Sequence, residues 1–464
     1  MSAFDPKSIT RGASPFAKLL VANRGEIALR IQRACRVLGV RTVQIHSEAD
    51  RHAPFVASAD EALCIGPAPS RSSYLDIERI VWAARLTGAQ AVNPGYGFLS
   101  ENAAFARAVE AAGLVFVGPT PEAIDVMGDK IAAKAAMRAA GVPCVPGSDG
   151  PLPQDAAEAA TIAASIGYPV IVKAAGGGGG RGMRIVRAPE ELAEALATTR
   201  EEAGRAFGNP TVYMEKFLEA PRHVEIQILC DIHGGAVWLG ERDCSLQRRH
   251  QKVVEEAPAP GVSRELVAEV GARCVEACRR IGYRGAGTFE FLYENDAFHF
   301  IEMNTRVQVE HPVTEMVTGI DIVATQIRIA AGEPLGFSQE DIRPVGHAIE
   351  CRINAETPFD FRPSPGRVSR WRAPGGPGIR VDTQLESGCT VPSHYDSLVA
   401  KVVAHGRDRT EAIARMEAAL GEIALEGIES NIALHRAIFD DAAFRRGGVG
   451  IHHLEHWLGT RRHV

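Results

Sequence analysis

Two carboxylates and an amide stand where a predicted β-hairpin would bring them together. Glu290 lies in the apolar strand 288–293, and Glu302 and Asn304 follow in the next extended segment after a short turn. Like charges that face each other across two strands are destabilising, which disfavours a simple polar pair between Glu290 and Glu302. Carboxylate and amide oxygens are hard ligands that suit Mg²⁺. The pattern therefore predicts a metal site formed by Glu290, Glu302 and Asn304.

The segment that contains Glu302 carries a polar side chain at every even position from 302 to 310. In an extended chain, alternate side chains point to one face. That face would carry Glu302, Asn304, Arg306, Gln308 and Glu310. Such a row forms either a solvated edge strand or the floor of an active site. An asparagine and an arginine between two glutamates favour the active site.

A run of five glycines at 176–180 follows Lys173 and lies between two predicted strands. A P-loop instead joins a strand to a helix and continues with Gly-Lys-Ser/Thr, a pattern this run does not have. Glycine N–H groups can approach phosphate oxygens closely because no Cβ obstructs them. The alternative is a flexible hairpin tip, and the ammonium of Lys173 beside the run favours a phosphate clamp.

The segment 241–252 is dense in charge and is followed by Glu255 and Glu256. A nucleic-acid patch would carry interleaved aromatic residues, and this segment has none. The whole chain has 51 Lys+Arg against 57 Asp+Glu and a net charge of −6. It therefore has no electrostatic preference for nucleic acid or an anionic membrane. A solvated charged loop is the alternative to a functional segment.

The elements that must position these residues begin with alternating strands and helices over the first 120 residues. Apolar strands at 19–22 and 41–45 flank an amphipathic helix at 25–38, which is a βαβ unit and predicts a parallel sheet. Further strands at 89–93 and 114–117 flank a helix around 102–112. The first turn lacks the GxGxxG pattern of dinucleotide-binding folds, which argues against NAD binding.

The rest of the chain divides into two further parts. We expect a compact αβ segment at 150–217, with a helix at 156–166 and strands at 170–174, 183–186 and 212–217. Several strands and a helix at 264–281 follow. A last region begins near Gly346, passes through turns rich in proline and glycine at 363–378, and ends in two helices.

Length and composition agree with an intracellular protein of several domains. The chain has 464 residues, which corresponds to about three domains. Its uncharged stretches are too short to span a bilayer, and the N-terminus lacks the apolar core of a secretory signal. Nine cysteines without a CxxC pair predict reduced thiols in a cytoplasmic protein, and neither a disulfide framework nor a zinc site.

Together these segments resemble the biotin carboxylases, a family of ATP-grasp enzymes. The matching segments are Val21–Ile31, His46–Asp50, Pro94–Asn102, Met127–Lys130, Lys173–Met183, Pro221–Gln227, Glu241–Pro260, Phe300–Met316 and Gly346–Ala355. The resemblance implies an α/β fold, with a Rossmann-like N-terminal domain at 15–128 and an ATP-grasp domain at 129–335. It also implies a mobile lid at about 145–217 and a C-terminal α+β domain at 346–457.

The resemblance further implies an activity. ATP phosphorylates bicarbonate to carboxyphosphate, which releases CO₂ that is captured by N1′ of biotin. This is the first half-reaction of acetyl-CoA carboxylase or a related biotin-dependent carboxylase. ATP and Mg²⁺ (or Mn²⁺) would be required, with bicarbonate and biotin as substrates. A lid suits a site that generates an intermediate sensitive to water.

Residue roles also follow from the resemblance. The groups that would hold the nucleotide and its phosphates are Lys130, Lys173, Gly179, Gly180, Glu215, Lys216, Phe217, Leu218, His223, Gln247 and His250. The metal set would again be Glu290, Glu302 and Asn304. The bicarbonate site would consist of Lys252, Arg306, Gln308 and Val309. Glu310 would be the base that deprotonates bicarbonate, and Arg352 would stabilise the ureido oxygen of biotin.

The partners implied are a biotin carboxyl carrier protein, a carboxyltransferase and a second copy of the chain. Carrier domains attach biotin to a lysine in a Met-Lys-Met context, and no methionine here precedes a lysine. Because the chain also ends at Val464, we expect a separate subunit that receives biotin on another polypeptide. Val37 and Pro377 depart from the family pattern near the expected dimer contact, and the final carboxyl acceptor stays open.

Two rival functions remain at this point. One is another ATP-grasp ligase, such as an enzyme of the carbamoyl-phosphate synthase type, which would not need the 306–310 segment together with Arg352. The other is a catalytically silent regulatory or scaffold paralogue, which would lack a ligand or base. Every expected ligand and base is present in the sequence, which favours a biotin carboxylase.

Overall fold

The N-terminal region alternates strands with helices, as the sequence predicts. The computed structural model describes residues 16–176 and 182–461. The elements of this region are β1 (Lys18–Val21), α1 (Gly25–Leu38), β2 (Arg41–Ser47), a 3₁₀ helix (Glu48–Asp50), α2 (Pro54–Ala57), β3 (Glu61–Gly66), a 3₁₀ helix (Ser70–Ser72), α3 (Ile77–Thr87), β4 (Ala91–Asn93), α4 (Ala103–Ala111), β5 (Val115–Phe116) and α5 (Pro121–Gly128). The five strands form a parallel sheet in the order β3-β2-β1-β4-β5. Hydrophobic clusters cover both of its faces.

Short polar side chains and glycines set the helix ends in this region. Asp76 accepts a hydrogen bond from the backbone N–H of Arg79 at the start of α3, and Asn102 caps α4 in the same way. Gly39 ends α1 with a φ of +72°, a conformation that costs little without a Cβ. These local signals explain why the predicted helix 25–38 matches α1.

A small αβ unit follows, as predicted for residues 150–217. It is preceded by α6 (Lys130–Ala139), which packs with the central region. Its own elements are α7 (Ala156–Ile166), β6 (Val170–Ala174), β7 (Met183–Val186), a 3₁₀ helix (Pro189–Glu191), α8 (Leu192–Phe207) and β8 (Val212–Lys216). The three strands form an antiparallel sheet in the order β7-β6-β8, which packs on α7 and α8 through its own hydrophobic cluster. The glycine run joins β6 to β7, and its members Gly179 and Gly180 lie outside the described residues.

The central region supplies most of a large antiparallel sheet. Its elements are β9 (Arg222–Cys230), β10 (Ala236–Arg248), β11 (Gln251–Ala257), α9 (Arg264–Arg280), β12 (Gly285–Glu294), β13 (Ala297–Asn304), α10 (His311–Thr318), α11 (Ile322–Ala330) and a 3₁₀ helix (Gln339–Asp341). Helix α9 packs on β9 and β10, within a hydrophobic cluster that also contains aromatic side chains of β12 and β13.

The C-terminal region continues that same sheet. Its elements are β14 (His347–Asn354), β15 (Gly366–Arg367), β16 (Arg370–Arg372), β17 (Ile379–Thr383), β18 (Thr390–Val391), β19 (Leu398–Gly406), α12 (Arg409–Glu422), β20 (Ala424–Glu426), α13 (Ile432–Phe439), α14 (Ala442–Arg446) and α15 (His453–Arg461). The eight-stranded sheet has the order β13-β12-β9-β10-β11-β14-β19-β17. The pairing of β11 with β14 therefore joins the central and C-terminal regions by main-chain hydrogen bonds.

Two predictions about local structure are wrong. The C-terminal region ends in four helices, α12 to α15, where the sequence predicted two. Asp441, two residues after the end of α13, caps the separate helix α14, and Gly447 ends it. The prediction of an extended chain over 302–310 is also wrong, because β13 ends at Asn304 and α10 begins at His311.

Two further features are the pairing of the cysteines and the apolar character of the helices. All nine cysteines are free, which confirms the prediction of reduced thiols. Within residues 16–176 and 182–461, none of the helices has the length and apolar character needed to cross a bilayer.

The shared sheet gives a first prediction about stability. Ile349 on β14 is fully buried in a cluster that also contains Val253 and Val254 of the central region. Ile349→Ala should lower the free energy of unfolding by about 2–5 kcal/mol, because it leaves a cavity in this core. Urea unfolding followed by circular dichroism would measure the change. Val345→Ala, at an exposed position four residues earlier, should stay within about 0.5 kcal/mol. Equal effects of the two substitutions would contradict a core that crosses from β11 to β14.

Candidate active site

A single large cavity gathers most of the predicted site residues. It has a volume of about 1050 Å³ and is bounded by the N-terminal region, the small αβ unit and the eight-stranded sheet. The predicted residues on its wall are Lys130, Lys173, Glu215, Lys216, Phe217, Leu218, His223, Gln247, His250, Lys252, Glu290, Glu302, Asn304, Arg306, Gln308, Val309 and Arg352. Glu310 lies just behind the wall and is fully buried.

The hairpin of β12 and β13 places the two predicted acidic ligands as expected. Glu290 pairs directly with Glu302, and Asn304 follows two residues along β13. The ammonium of Lys130 lies 3.9 Å from the Glu302 carboxylate. Burial and the neighbouring carboxylate of Glu290 raise the pKa of Glu302. A divalent cation between the two carboxylates would remove that repulsion, so these residues fit the hard-ligand set that Mg²⁺ requires.

Three glutamates surround the ammonium group of Lys252. Its Nζ donates to Glu225 at 2.7 Å, to Glu290 at 2.8 Å and to Glu310 at 2.6 Å. Burial alone would lower the pKa of Lys252, but the surrounding anionic groups raise it well above its usual value. The same ammonium outweighs burial at Glu290 and Glu310 and lowers the pKa of both. The cluster is therefore ionised at neutral pH.

Glu225 and Arg242 support this cluster and were missed by the sequence interpretation. The Arg242 guanidinium is completely buried, and its Nε donates to Glu225 at 2.6 Å. Its remaining nitrogens donate to Gln227, Thr288 and Thr314. A signal for Glu225 was available, because every second residue from 223 to 227 is polar within an otherwise apolar strand.

Arg306 is fixed by a residue from the N-terminal region. Its Nε donates to Glu101 at 2.8 Å, and the neighbouring backbone N–H of Thr305 donates to the same carboxylate at 3.0 Å. The other guanidinium nitrogens bind Asn304 at 2.9 Å and Gln308 at 2.8 Å. Arg306 and Gln308 reach the cavity even though the chain is not extended, because these contacts fold the loop after β13 inward. Glu101 lies in a segment that carried the resemblance but had no role assigned.

Arg352 lies between two buried carboxylates at the end of the cavity. One terminal nitrogen donates to Glu310 at 3.0 Å, and Nε donates to Glu255 at 2.5 Å. The backbone carbonyl of Arg352 accepts hydrogen bonds from Asn431 and from the ring of buried His435. Helix α13 thus supports this arginine from behind.

The opposite end of the cavity is largely apolar. Residues from the small αβ unit and the hairpin line it, namely Val145, Ile171, Met183, Ile185, Phe217, Leu292 and Ile301. Glu215 is buried beside this wall, contacts Lys134 and accepts a hydrogen bond from Lys173 at 2.6 Å. Lys216 donates to the carbonyls of Gly167 and Tyr168, so its ammonium is already bound within the unit.

One group of close potential metal ligands differs from the predicted set. His223, Glu225 and Glu290 place one ligand atom each within 4.8 Å of one another. Glu225 and Glu290 already bind Lys252, and they outweigh burial to raise the pKa of His223 to about 9. A cationic histidine and an ammonium disfavour a metal there. Glu302 and Asn304, which face the open cavity, fit a metal better.

Three family models and a close relative match nearly the whole chain. Residues 15–124 match the biotin carboxylase N-terminal domain, 129–338 the carbamoyl-phosphate synthase L chain ATP-binding domain, and 350–456 the biotin carboxylase C-terminal domain. A biotin carboxylase from Allochromatium vinosum is 62% identical over 95% of this chain and 98% of its own length.

Solved structures are similar over nearly the same extent. A Campylobacter jejuni biotin carboxylase in complex with βγ-ATP has a TM-score of 0.91 and 45% identity, covering 95% of this chain and 99% of that one. The biotin carboxylase domain dimer of Hydrogenobacter thermophilus 2-oxoglutarate carboxylase, bound to MgADP, ADP and bicarbonate, has a TM-score of 0.89. Its identity is 50%, over 95% of this chain and 97% of that one.

The fold and the cavity define a three-domain protein of the ATP-grasp class. Within that class, the chain belongs to the biotin carboxylase family.

The support behind Arg352 gives a prediction about pH. Burial lowers the pKa of His435 to about 4, although its bond to the Arg352 carbonyl opposes the shift. An unfolded histidine titrates near 6.5, so the stability that neutral His435 contributes is present above that pH and lost as the pH falls toward 4. Between pH 6.5 and 4 the native protein should lose about 3 kcal/mol more unfolding free energy than His435→Gln does. Urea unfolding of both proteins over this range would measure it. His394→Gln, at an exposed position, should show the same dependence of unfolding free energy on pH as the native protein. If the unfolding free energies of His435→Gln and the native protein change in parallel over this range, His435 does not contribute in this way.

Proposed function

We propose that this chain carboxylates biotin with bicarbonate and ATP, through carboxyphosphate. The observation that carries the proposal is the placement of Lys252, Glu310 and Arg352 in one hydrogen-bonded group at the end of the cavity. This group supplies a base and two cations where an anionic intermediate would form. Membership of the biotin carboxylase family supports the same reaction.

The nucleotide would occupy the apolar end of the cavity and direct its phosphates toward Lys130 and Lys173. The adenine would lie beside Glu215, Lys216, Phe217 and Leu218, and the ribose near His223, Gln247 and His250. When bound at Glu290, Glu302 and Asn304, Mg²⁺ would neutralise phosphate charge and polarise the transferred group. In this proposal the glycines Gly179 and Gly180 belong to the loop that covers the phosphates.

Bicarbonate would bind between Lys252, Arg306, Gln308 and Val309. Glu310 is ionised, as a proton acceptor must be, and its carboxylate is held by Lys252 and Arg352. Bicarbonate that draws hydrogen bonds from these two cations would weaken their hold on Glu310. The proton affinity of Glu310 would therefore rise when the substrate is bound. Deprotonated bicarbonate is the nucleophile that attacks the terminal phosphate.

Arg352 would act in the second step. Removal of the proton from N1′ places negative charge on the ureido oxygen of biotin, and a guanidinium fixed in a water-poor site stabilises that charge. Arg352 and Tyr96 both line the cavity. This division gives Glu310 and Arg352 separate roles although they are hydrogen-bonded.

We also propose the partners of this reaction. Biotin would arrive on a carrier protein, and a carboxyltransferase would pass the carboxyl group to the final acceptor. The absence of any Met-Lys pair in the sequence supports biotin attachment outside residues 1–464. The dimer of the Hydrogenobacter domain supports a homodimer, although Val37 and Pro377 depart from the family pattern.

The two proposed steps can be separated by mutation. Glu310→Gln removes the base, so bicarbonate-dependent ATP cleavage and carboxylation of free biotin should both fall by roughly 10²–10⁴. Arg352→Ala should leave most of the ATP cleavage and lower carboxybiotin formation by about 10² or more. Lysine should restore only part of this loss, since it lacks the planar fork. Parallel assays of phosphate release and carboxybiotin measure both steps, with Arg370→Ala on the exposed strand β16 as a control. Equal loss of both products in both variants would contradict the division.

The carrier assignment has its own test. Purified chain treated with a biotin–protein ligase, ATP and biotin should show no covalent biotin on an avidin blot, while it carboxylates free biotin slowly. A known carrier domain in the same reaction serves as the positive control. A labelled band at the mass of this chain would contradict a separate carrier.

A further inference from the structure

Two buried glutamates stand side by side behind Arg352. Glu255 on β11 is the direct cross-strand partner of Glu350 on β14, and neither residue is exposed to solvent. Paired residues of neighbouring strands project to the same face, with Cβ atoms roughly 5 Å apart. Two ionised carboxylates in that position would repel each other in a medium of low dielectric constant.

The hydrogen bonds of these carboxyl groups are incomplete. Glu255 Oε1 accepts from Arg352 at 2.5 Å, whereas Glu255 Oε2 and both oxygens of Glu350 have no hydrogen-bond partner among the described residues. Burial of three such acceptors would be strongly unfavourable if both groups were ionised. A proton on one carboxyl turns an acceptor into a donor, which would satisfy an oxygen of the neighbouring carboxyl.

The nearby cations bind other groups, except that Arg352 also binds Glu255 of the pair. Lys252 binds three other glutamates, as described above. Lys401 on β19 lies 3.2 Å from Glu26 and donates to the carbonyl of Val309 at 2.9 Å. Arg352 is shared between Glu255 and Glu310. In the part of the chain that the structure describes, Glu350 is left without a hydrogen-bonded cation.

The other ionisable groups that face the pair do not change this balance. Glu310, at the N-terminus of α10, adds a further negative charge. Tyr96 donates its hydroxyl to Glu26, and the thiols of Cys244 and Cys351 are buried and neutral. Helix α10 covers the pair with apolar side chains. Burial raises the pKa of Glu255 to about 7 and raises that of Glu350 well above its ordinary value, although Lys401 and Arg352 oppose the shift at Glu350.

We propose that Glu255 and Glu350 share one proton as a carboxyl–carboxylate pair, and that the single negative charge of this pair positions Arg352. The role of Arg352 in this statement rests on the proposed function, whereas the shared proton does not. Glu255 and Glu350 are positioning residues in this view, because they act on biotin only through Arg352.

The pair links the position of Arg352 to pH. At neutral pH one proton is present, and the remaining charge holds Nε of Arg352. As the pH falls, a second proton neutralises the pair, and Arg352 keeps Glu310 as its charged partner. The guanidinium then turns away from its fixed position. We expect the KM for free biotin to rise on the acidic side, while phosphate release measured without biotin does not follow the same curve.

Infrared spectroscopy can detect the shared proton directly. In protein labelled with ¹³C at the glutamate side-chain carboxyl, the native protein at neutral pH should show the C=O stretch of a protonated glutamate. Glu350→Gln should remove that band, because Glu255 then stays ionised beside a neutral amide. Glu256→Gln is the matched control: Glu256 is the next residue of β11, is also buried, and is bound by Arg409 and His347. It should leave the band in place. A native spectrum that Glu350→Gln does not change would overturn the proposal.

Kinetics test the positioning role. Glu350→Gln keeps a neutral hydrogen-bond donor and should hold the KM for free biotin within about 2-fold of the native value. Glu255→Gln removes the charge that holds Arg352 and should raise that KM by about 10-fold, with less effect on kcat. An unchanged KM in Glu255→Gln would overturn the positioning role. If the infrared band is present but no variant or native protein carboxylates biotin, the proposed function fails and the shared proton stands. If the native protein carboxylates biotin but the infrared band is absent, the shared proton fails and the proposed function stands.

Discussion

The ammonium group of Lys252 is the interaction on which the rest of the site depends. It holds Glu225, Glu290 and Glu310, which come from three different elements, within hydrogen-bond reach of one atom. Each of these carboxylates would be costly to bury alone, and each is ionised because the ammonium is there. The strands β9, β11 and β12 and the start of α10 are therefore fixed relative to one another by charge as well as by packing. Removal of this one cation would leave three buried anions, so the cluster can exist only as a whole.

A second layer of contacts makes that cluster rigid. Arg242 donates a hydrogen bond to Glu225, and Glu101 from the N-terminal region accepts one from Arg306. Glu101 and Arg242 both lie outside the predicted set, and they support the predicted residues Arg306 directly and Lys252 through Glu225. The site is thus assembled from the N-terminal region and the large sheet, with the small αβ unit closing the apolar end. A polar group held on several sides loses little entropy when a substrate binds.

Much of this arrangement could be predicted from the sequence, and the reasons for the failures are physical. The βαβ start, the small αβ unit and the Glu290–Glu302 pairing follow from local periodicity and turn length, which act over a few residues. Glu101 and Arg242 were missed because their importance comes from contacts between separate segments of the chain, whereas Glu225 was missed although the alternation over 223–227 marks it. The prediction of an extended segment at 302–310 was wrong because Glu101 and the start of α10 bend the chain. The alternation of polar and apolar residues alone does not reveal this bend. The extra C-terminal helices are short and are set by single caps such as Asp441, whose effect depends on tertiary packing.

The pairing of β11 with β14 bears on how such a protein can be divided. A cut between residues 331 and 346 falls in a linker by composition, yet it would separate two strands in the middle of a sheet. Each fragment would present a long unpaired edge, which is a template for aggregation. Arg352 and Glu310 would also come to lie on different pieces. A split at this linker should therefore yield insoluble fragments, so the central and C-terminal regions need to be produced as one chain.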